Sequence, residues 1–359
     1  MADSVLIAAD RLRDAVAAIV AAGGSEPREA QLVSENLVEA NLRGHDSHGA
    51  GMMPLYVTAL KNGGLRANRH AITISDIGTI LRIDGDRGYG QVIGQEAMAL
   101  GIERARELGT CIVGTSNSHH LGRIGQWAEQ CAAAGLVSIH FVNVLSRPIV
   151  APWGGRSPVT STNPICIGVP LADKPPFLLD FATARIASGK VRVAYNKGEA
   201  LPPGNMMDAA GEPTTDPRHG IVPPLGAILP FGEHKGSGLS IACELLAGAL
   251  TGGNTWRGPG EVVTQVVNNM LSIIIDPARM GGEARMGSES DALIDWVLGS
   301  PPAPGVDKVR IAGQPEQETR AKRIAGGIPV DVTSWAEIVD AGKRAGMDPN
   351  EVTRLAGLA

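Results

Sequence analysis

The chain has little cysteine, few aromatic residues and no dense block of basic residues. Its four cysteines, Cys111, Cys131, Cys166 and Cys243, lie far apart inside apolar runs. That spacing offers neither a disulfide framework nor a zinc motif, and a reduced, cytoplasmic setting is expected. The formal net charge is -5 with no basic stripe, so nucleic acid is not an expected partner. No window has the uninterrupted apolar length of a membrane span, and the first residues lack the basic-then-apolar pattern of a signal peptide. Membrane association is therefore not expected. Aromatics make up only 3% of the chain while glycine numbers 46, so many tight turns and close backbone approaches follow.

What is present can bury a large core. The chain has 359 residues, 43% of them apolar, and two domains are expected. Leu12, Val16, Ile19 and Val20 mark an amphipathic helix that stops at Gly23-Gly24, and Ala30, Val33, Leu37 and Leu42 mark another. A further helix is expected from Met53 to Leu60. From about Ile72 the texture turns to strands: Ile72 to Ile74, Ile80 to Ile83, Cys111 to Gly114, Val137 to Val144, Ile165 to Val169, Phe177 to Asp180 and Met270 to Ile275. Helices are expected at Gln91 to Leu108, Arg123 to Ala134 and Gly236 to Leu250. The tail from Glu289 reads as helical again. Residues 196–225, rich in glycine and proline, read as a long ordered loop or flap.

The stretch Thr115-Ser116-Asn117-Ser118-His119-His120-Leu121-Gly122-Arg123-Ile124-Gly125 organises the rest. It joins an apolar strand to a helix that carries Ile124, Trp127, Ala128 and Cys131. Histidines on such a turn sit on a rigid scaffold, and His is the usual general acid–base. Adjacent side chains diverge, so at most one of His119 and His120 points at a substrate. Both could equally be ordinary polar turn residues.

Other stretches carry weaker signals. Gly88-Tyr89-Gly90-Gln91-Val92-Ile93-Gly94 is spaced G-x-G-x-x-x-G and follows a turn-like Asp84-Gly85-Asp86. A Rossmann fingerprint needs G-x-G-x-x-G directly after a strand, so a glycine-rich turn entering a helix is the preferred reading. Arg43 to Gly49 holds His45, Ser47 and His48, which could bind a small anion or a ring amide, or merely decorate a helix end. Asp180-Phe181-Ala182-Thr183 reads as a strand end followed by a helix start, with Asp180 or Thr183 as the cap. Lys235, at a glycine-rich helix start beside His234, suits a phosphate, or is simply exposed. No His/Cys/Asp cluster has metal-ligand spacing, so no metal is expected.

Taken together, these blocks resemble the malate/L-lactate dehydrogenase family that is unrelated to the Rossmann-type enzymes. The likeness covers nearly the whole chain. It rests on Arg43 to Gly49, Ser118 to Gly125, Ala151 to Gly155, Thr162-Asn163-Pro164, Asp180 to Thr183, Pro213 to Pro217 and His234-Lys235-Gly236. The resemblance implies an α/β fold: a non-Rossmann mixed-sheet cofactor domain (residues 71–287) with a helical domain built from both chain ends (1–70 and 288–359). A homodimer is implied as well. The implied activity is NAD(P)H-dependent reduction of a 2-oxo acid to a 2-hydroxy acid, or the reverse, with NADPH slightly favoured over NADH.

The same resemblance assigns roles. His120 matches the general acid–base, with Ser47 and His48 orienting substrate and nicotinamide. Cofactor contacts match His48, Gly122, Arg123, Ile124, Leu178, Leu179, Asp180, Phe181, Ala182, His234, Lys235, Gly313, Gln314, Pro315 and Glu316. Ser47 and Tyr56 match positions near the substrate. Several members carry an arginine four residues after the histidine of Ser-His-Gly, where it can clamp a carboxylate. Here that residue is Met52, and Arg147 or Arg43 is a possible substitute. Two other readings stand beside this one: reduction of a cyclic imine such as a pyrroline or piperideine carboxylate, and a non-catalytic binding protein on the same scaffold.

Overall fold

The computed structural model describes residues 4–172, 174–256, 265–281 and 283–358. At its centre is a seven-stranded mixed sheet. In spatial order its strands are Ile72–Ile77, Ile80–Asp84, Thr110–Ser118, Val267–Ile275, Val137–Leu145, Ile165–Leu171 and Lys174–Phe181. Ile80–Asp84 and Thr110–Ser118 run parallel, joined by the helix Gly90–Leu108; the other neighbours are antiparallel. A doubly wound Rossmann sheet is all but parallel, so this is a different architecture. The glycines of 88–94 serve close packing. A side chain at Gly90 would collide with the backbone carbonyl of His120, and one at Gly94 with the indole of Trp127.

One sheet face is packed against helices. Cys111, Val113, Val142, Cys166, Met270 and Ile274 point into a core shared with Ala97, Met98, Trp127 and Ala128 of the covering helices. All four cysteines are buried and unpaired. The chain ends build a second core, in which Leu12, Val16, Ile19, Leu37 and Tyr56 pack with Ile338, Ala341 and Val352. Burying each large side chain there contributes roughly 1.5–3 kcal/mol. A short strand pairing, Ser4–Ile7 with Ile328–Asp331, ties the ends together. Periodicity does not reveal it, because four residues carry no period. The helix Glu283–Leu298 leans on the sheet instead, with Lys174 reaching Asp291 and Asp295 at 3.3 and 3.0 Å.

Three expectations need correction. Residues 196–225 are more than a flap. The strands Met206–Met207, Pro213–Thr214 and Ala227–Ile228 form a small sheet, and Val150, Val191, Leu201, Met206 and Ile228 give it a core of its own. The long helix expected to Leu250 is regular only over His234–Cys243, then widens to a π-helical turn over Glu244–Ala249. Such turns are rare overall and frequent at functional sites. No helix begins at Asp180 to Thr183. The next helix is Ser188–Lys197, so neither residue caps it. Among the described residues, no helix is long and apolar enough to cross a membrane.

Candidate active site

The strand Thr110–Ser118 ends in a loop that neighbouring elements pin by its backbone. His119 N donates to Gly88 O at 3.0 Å, Asn117 N to Asn269 Oδ1 at 2.8 Å and Leu121 N to Asn268 Oδ1 at 2.9 Å. Asn117 adopts a positive φ of 56°, which Asn tolerates better than most residues. Asn269 is held in turn. Its amide donates to Asn143 Oδ1 at 2.7 Å, and Asn143 donates to Glu244 Oε2 at 3.1 Å. Asn163 donates to Glu244 Oε1 at 2.8 Å. These side chains are buried, so each hydrogen bond left unmade would cost about 1–3 kcal/mol. The widened turn at Glu244 thus supplies the carboxylate that anchors the network. A polar Asn268-Asn269 pair inside an otherwise apolar strand was the available sequence signal.

The two histidines of the loop diverge. His119 is 1% exposed, meets the Tyr56 ring edge-on with centroids 5.4 Å apart, and has no hydrogen bond to either ring nitrogen among the described residues. Burial pulls its pKa down to about 4. His120 is half-buried. Its ring stacks on that of His48, with centroids 5.5 Å apart and planes 24° apart. His120 Nδ1 lies 2.8 Å from the Tyr56 hydroxyl, which also accepts a 2.8 Å hydrogen bond from Gln91 Nε2. Desolvation, then the neighbouring His48 and His119, hold its pKa well below the ordinary value. Tyr56 is fully buried, and its raised pKa reflects that burial first. Its hydroxyl is thus engaged by the histidine and the amide.

Ser47 and His48 lie in the single-turn helix Asp46–His48, with Ser47 Oγ 2.9 Å from His48 Nδ1. Burial, then His45 and Arg123, lower the His48 pKa to about 4. Gly189, at the start of the helix Ser188–Lys197, packs so closely on Ser47 that a side chain there would collide with it. Met52 is half-buried against the core of the chain ends. Arg43 is committed to Glu39 at 2.8 Å and Glu129 at 3.0 Å. Arg147 donates to Gly220 O at 3.1 Å and lines a small cavity with Ser188, and among the described residues it pairs with no carboxylate.

Most of the remaining candidates form one arc. Gly122 has a positive φ of 74°. Arg123 is 3% exposed, pairs through Nη2 with Glu129 at 2.5 Å, and has Nε and Nη1 without partners among the described residues. Asp180 accepts from Gly125 N at 2.7 Å, so it satisfies the start of the helix Gly125–Ala133 from the far strand. Burial raises its pKa, opposed by Arg123 and that N–H. Ile124 and Leu178 turn their side chains into the sheet core. Leu179 pairs with Ile167 in the sheet. Leu178 N donates to Ala312 O at 3.2 Å, which sets Gly313 and the helix Gln314–Gly326 against this strand. Gln314 accepts from Ile311 N, Pro315 lies in the first turn, and Glu316 lies 3.5 Å from His45.

At the end of the same strand the Phe181 ring meets Phe231 edge-on, and past Ala182 the Thr183 carbonyl accepts from Phe231 N at 3.1 Å. That contact places the exposed His234 and Lys235, at the start of His234–Cys243, beside the arc. Two residues escaped the sequence reading. Gln91 was hidden among glycines, and Arg323 holds Asp46 from the far end of the chain.

Comparison with known proteins agrees with this fold. Residues 7–339 match the family model for malate/L-lactate dehydrogenase. The chain is 46% identical over 342 residues to hydroxycarboxylate dehydrogenase B of Escherichia coli (strain K12), covering 94% of each chain. It is 34% identical over 326 residues to the Delta(1)-pyrroline-2-carboxylate/Delta(1)-piperideine-2-carboxylate reductase of Pseudomonas syringae pv. tomato, covering 89% of this chain and 91% of that one. A solved malate/lactate dehydrogenase structure from E. coli superposes with a TM-score of 0.94 at 44% identity, over 98% of this chain and 99% of that one. The chain therefore belongs to the malate/L-lactate dehydrogenase family, an oxidoreductase family of hydroxycarboxylate dehydrogenases.

Proposed function

We propose that this protein catalyses the NAD(P)H-dependent reduction of a 2-oxo acid to a 2-hydroxy acid, or the reverse. The observation that carries the reading is the His120 ring, stacked on His48 and tied by Nδ1 to Tyr56, with Nε2 unpartnered within the described residues. A histidine held at one nitrogen and open at the other is oriented for proton transfer.

The arc from Gly122 to Glu316 fits a nicotinamide dinucleotide. It offers a buried guanidinium with two nitrogens unpartnered among the described residues, a glycine with positive φ, and a basic helix start at His234-Lys235. Once bound, the nicotinamide supplies or accepts the hydride at C2. The chain does the rest. Ser47 and His48 orient the substrate. Charge develops on the 2-oxo oxygen during reduction, and His120 Nε2 is the group that meets it. The free site holds His120 neutral, so the protonated ring forms when the anionic substrate arrives: a nearby carboxylate favours the cation. Arg147 is the guanidinium left to bind that carboxylate, because Arg43 is already paired twice.

Cyclic-imine reduction is a second reading, supported by the reductase relative and by the low basicity of His120. A C=N acceptor needs less proton donation to oxygen. Loss of NADPH and NADH absorbance with a panel of 2-oxo acids and a panel of cyclic imines separates the readings. Turnover of 2-oxo acids alone supports the first, turnover of imines alone the second, and no turnover of either sinks both.

A further inference from the structure

We infer that Gln91 sets the tautomer of His120: by donating to Tyr56 it turns the tyrosine's own proton toward Nδ1 and leaves the ring's proton on Nε2. The inference deepens the proposed function and its mechanistic meaning rests on His120 being the acid–base group. Gln91 acts here as a positioning residue.

With Gln91 Nε2, rather than Oε1, facing Tyr56, the direction of the chain of hydrogen bonds follows from donor counting. An amide nitrogen can only donate. Gln91 Nε2 lies 2.8 Å from Tyr56 Oη, and Oη lies 2.8 Å from His120 Nδ1. Tyr56 is 0% exposed, so no solvent reaches its hydroxyl. With the amide N–H aimed at the oxygen, the single phenolic proton has one acceptor, Nδ1. A neutral imidazole that accepts at Nδ1 carries its proton at Nε2. In the imidazolium both ring nitrogens donate. The Tyr56 oxygen would then face two donors, and its own proton would have no acceptor.

Among the described residues, the groups around the ring offer no counter-charge. His48 faces the ring from the turn at 46–48, His119 from its own loop, and Tyr56 from the helix Met53–Lys61. Behind Tyr56 stand Tyr89 and Gln91, at the start of Gly90–Leu108. None of these is a carboxylate. Gln91 therefore adds a directional preference to the effect of burial. The Nε2–H form presents a donor, which suits the carbonyl oxygen of a 2-oxo acid. It cannot accept from the hydroxyl of a 2-hydroxy acid. The free protein is set to receive the oxidised substrate.

The test is an NMR titration of the full chain labelled with ¹⁵N-histidine, without cofactor or substrate, with His120 assigned by comparison with His120→Gln. Expected is an Nε2–H ring that titrates well below the ordinary range. Gln91→Glu places an acceptor where the amide N–H was, so Tyr56 turns round and accepts from Nδ1–H. The Nδ1–H form should then grow, and the titration should move up by about one to two pH units. Gln91→Leu should move it a smaller distance in the same direction, and not at all in a Tyr56→Phe background. Gln91→Met stands in if the leucine variant does not fold. A wild-type ring dominated by Nδ1–H would overturn the inference, as would an equal Gln91→Leu effect with and without the tyrosine hydroxyl. The readout needs no turnover. Unchanged kcat in His120→Gln would therefore remove the acid–base role while leaving the tautomer result standing.

Discussion

Arg323 grips Asp46 with both terminal guanidinium nitrogens, at 2.7 and 3.0 Å, across 277 residues of sequence. Arg323 also donates to the Asn41 carbonyl, and the Asn41 side chain bridges Asp46 Oδ1 at 2.6 Å and Ala50 N at 2.8 Å. The turn that carries Ser47 and His48 is thus held by the C-terminal half of the chain. Arg323→Lys keeps the charge but loses the two-pronged geometry. We expect a stability loss of about 1 kcal/mol, within the range for a half-exposed ion pair, together with a severalfold rise in KM. Thermal melts and steady-state kinetics check both. A variant that melts earlier with unchanged KM would show that the turn does not depend on this grip.

His120→Ala should lower kcat by roughly 10²–10⁴-fold, the usual worth of a general acid–base, while a cofactor titration stays nearly unchanged. His119→Ala should behave differently. Its ring is buried, has no hydrogen bond among the described residues and packs on Tyr56, so its loss leaves a cavity and should cost stability more than rate. Lost cofactor binding in His120→Ala, with normal turnover at saturation, would reassign that residue to binding.

The family resemblance implies that Met52 stands where members can carry an arginine; the residue packs against the core of the chain ends. We expect phenylpyruvate to be reduced more efficiently than oxaloacetate, because a second carboxylate finds no partner there. Met52→Arg should raise the oxaloacetate-to-phenylpyruvate ratio of kcat/KM by about one to two decades, the worth of a charge-assisted hydrogen bond. Arg147→Met should instead raise KM for every 2-oxo acid. Oxaloacetate turnover that matches phenylpyruvate in the unmodified protein would mean that another group binds the distal carboxylate.

His140 is 0% exposed, sits between Ser272 Oγ at 2.8 Å and Ser138 Oγ at 2.9 Å, and has its pKa lowered to about 3 by burial. Once unfolded, the same ring regains an ordinary pKa near 6.5. The unfolded state then binds more protons between those values, so stability is complete above pH 6.5 and falls as pH drops toward 3. His48 and His119, with values of about 4, add to the same acid sensitivity. Each such ring costs roughly 1.4 kcal/mol per pH unit within its window. Denaturant unfolding of His140→Gln between pH 6.5 and 5 should show a shallower loss than the unmodified chain, and equal slopes would refute the assignment.

Apolar periodicity and glycine spacing largely determined the elements. The alternating burial of Thr110–Ser118, the stripe Leu12-Val16-Ile19 and the non-Rossmann spacing at Gly88 to Gly94 are local properties, set by how a strand or helix presents its faces. The blocks around His48, His120, Asp180 and Lys235 could likewise be picked out, because chemistry-bearing residues there interrupt otherwise apolar or glycine-rich runs. Tertiary structure alone decided which of them meet. Tyr56 reaches His120 and is itself reached by Gln91 from a different helix, Asp180 satisfies Gly125 N across 55 residues, and Arg323 reaches back to Asp46. A hydrogen bond between distant residues leaves no period in either segment. Its partners are chosen by chain packing, which brings a buried donor to the acceptor that desolvation would otherwise leave unpaired.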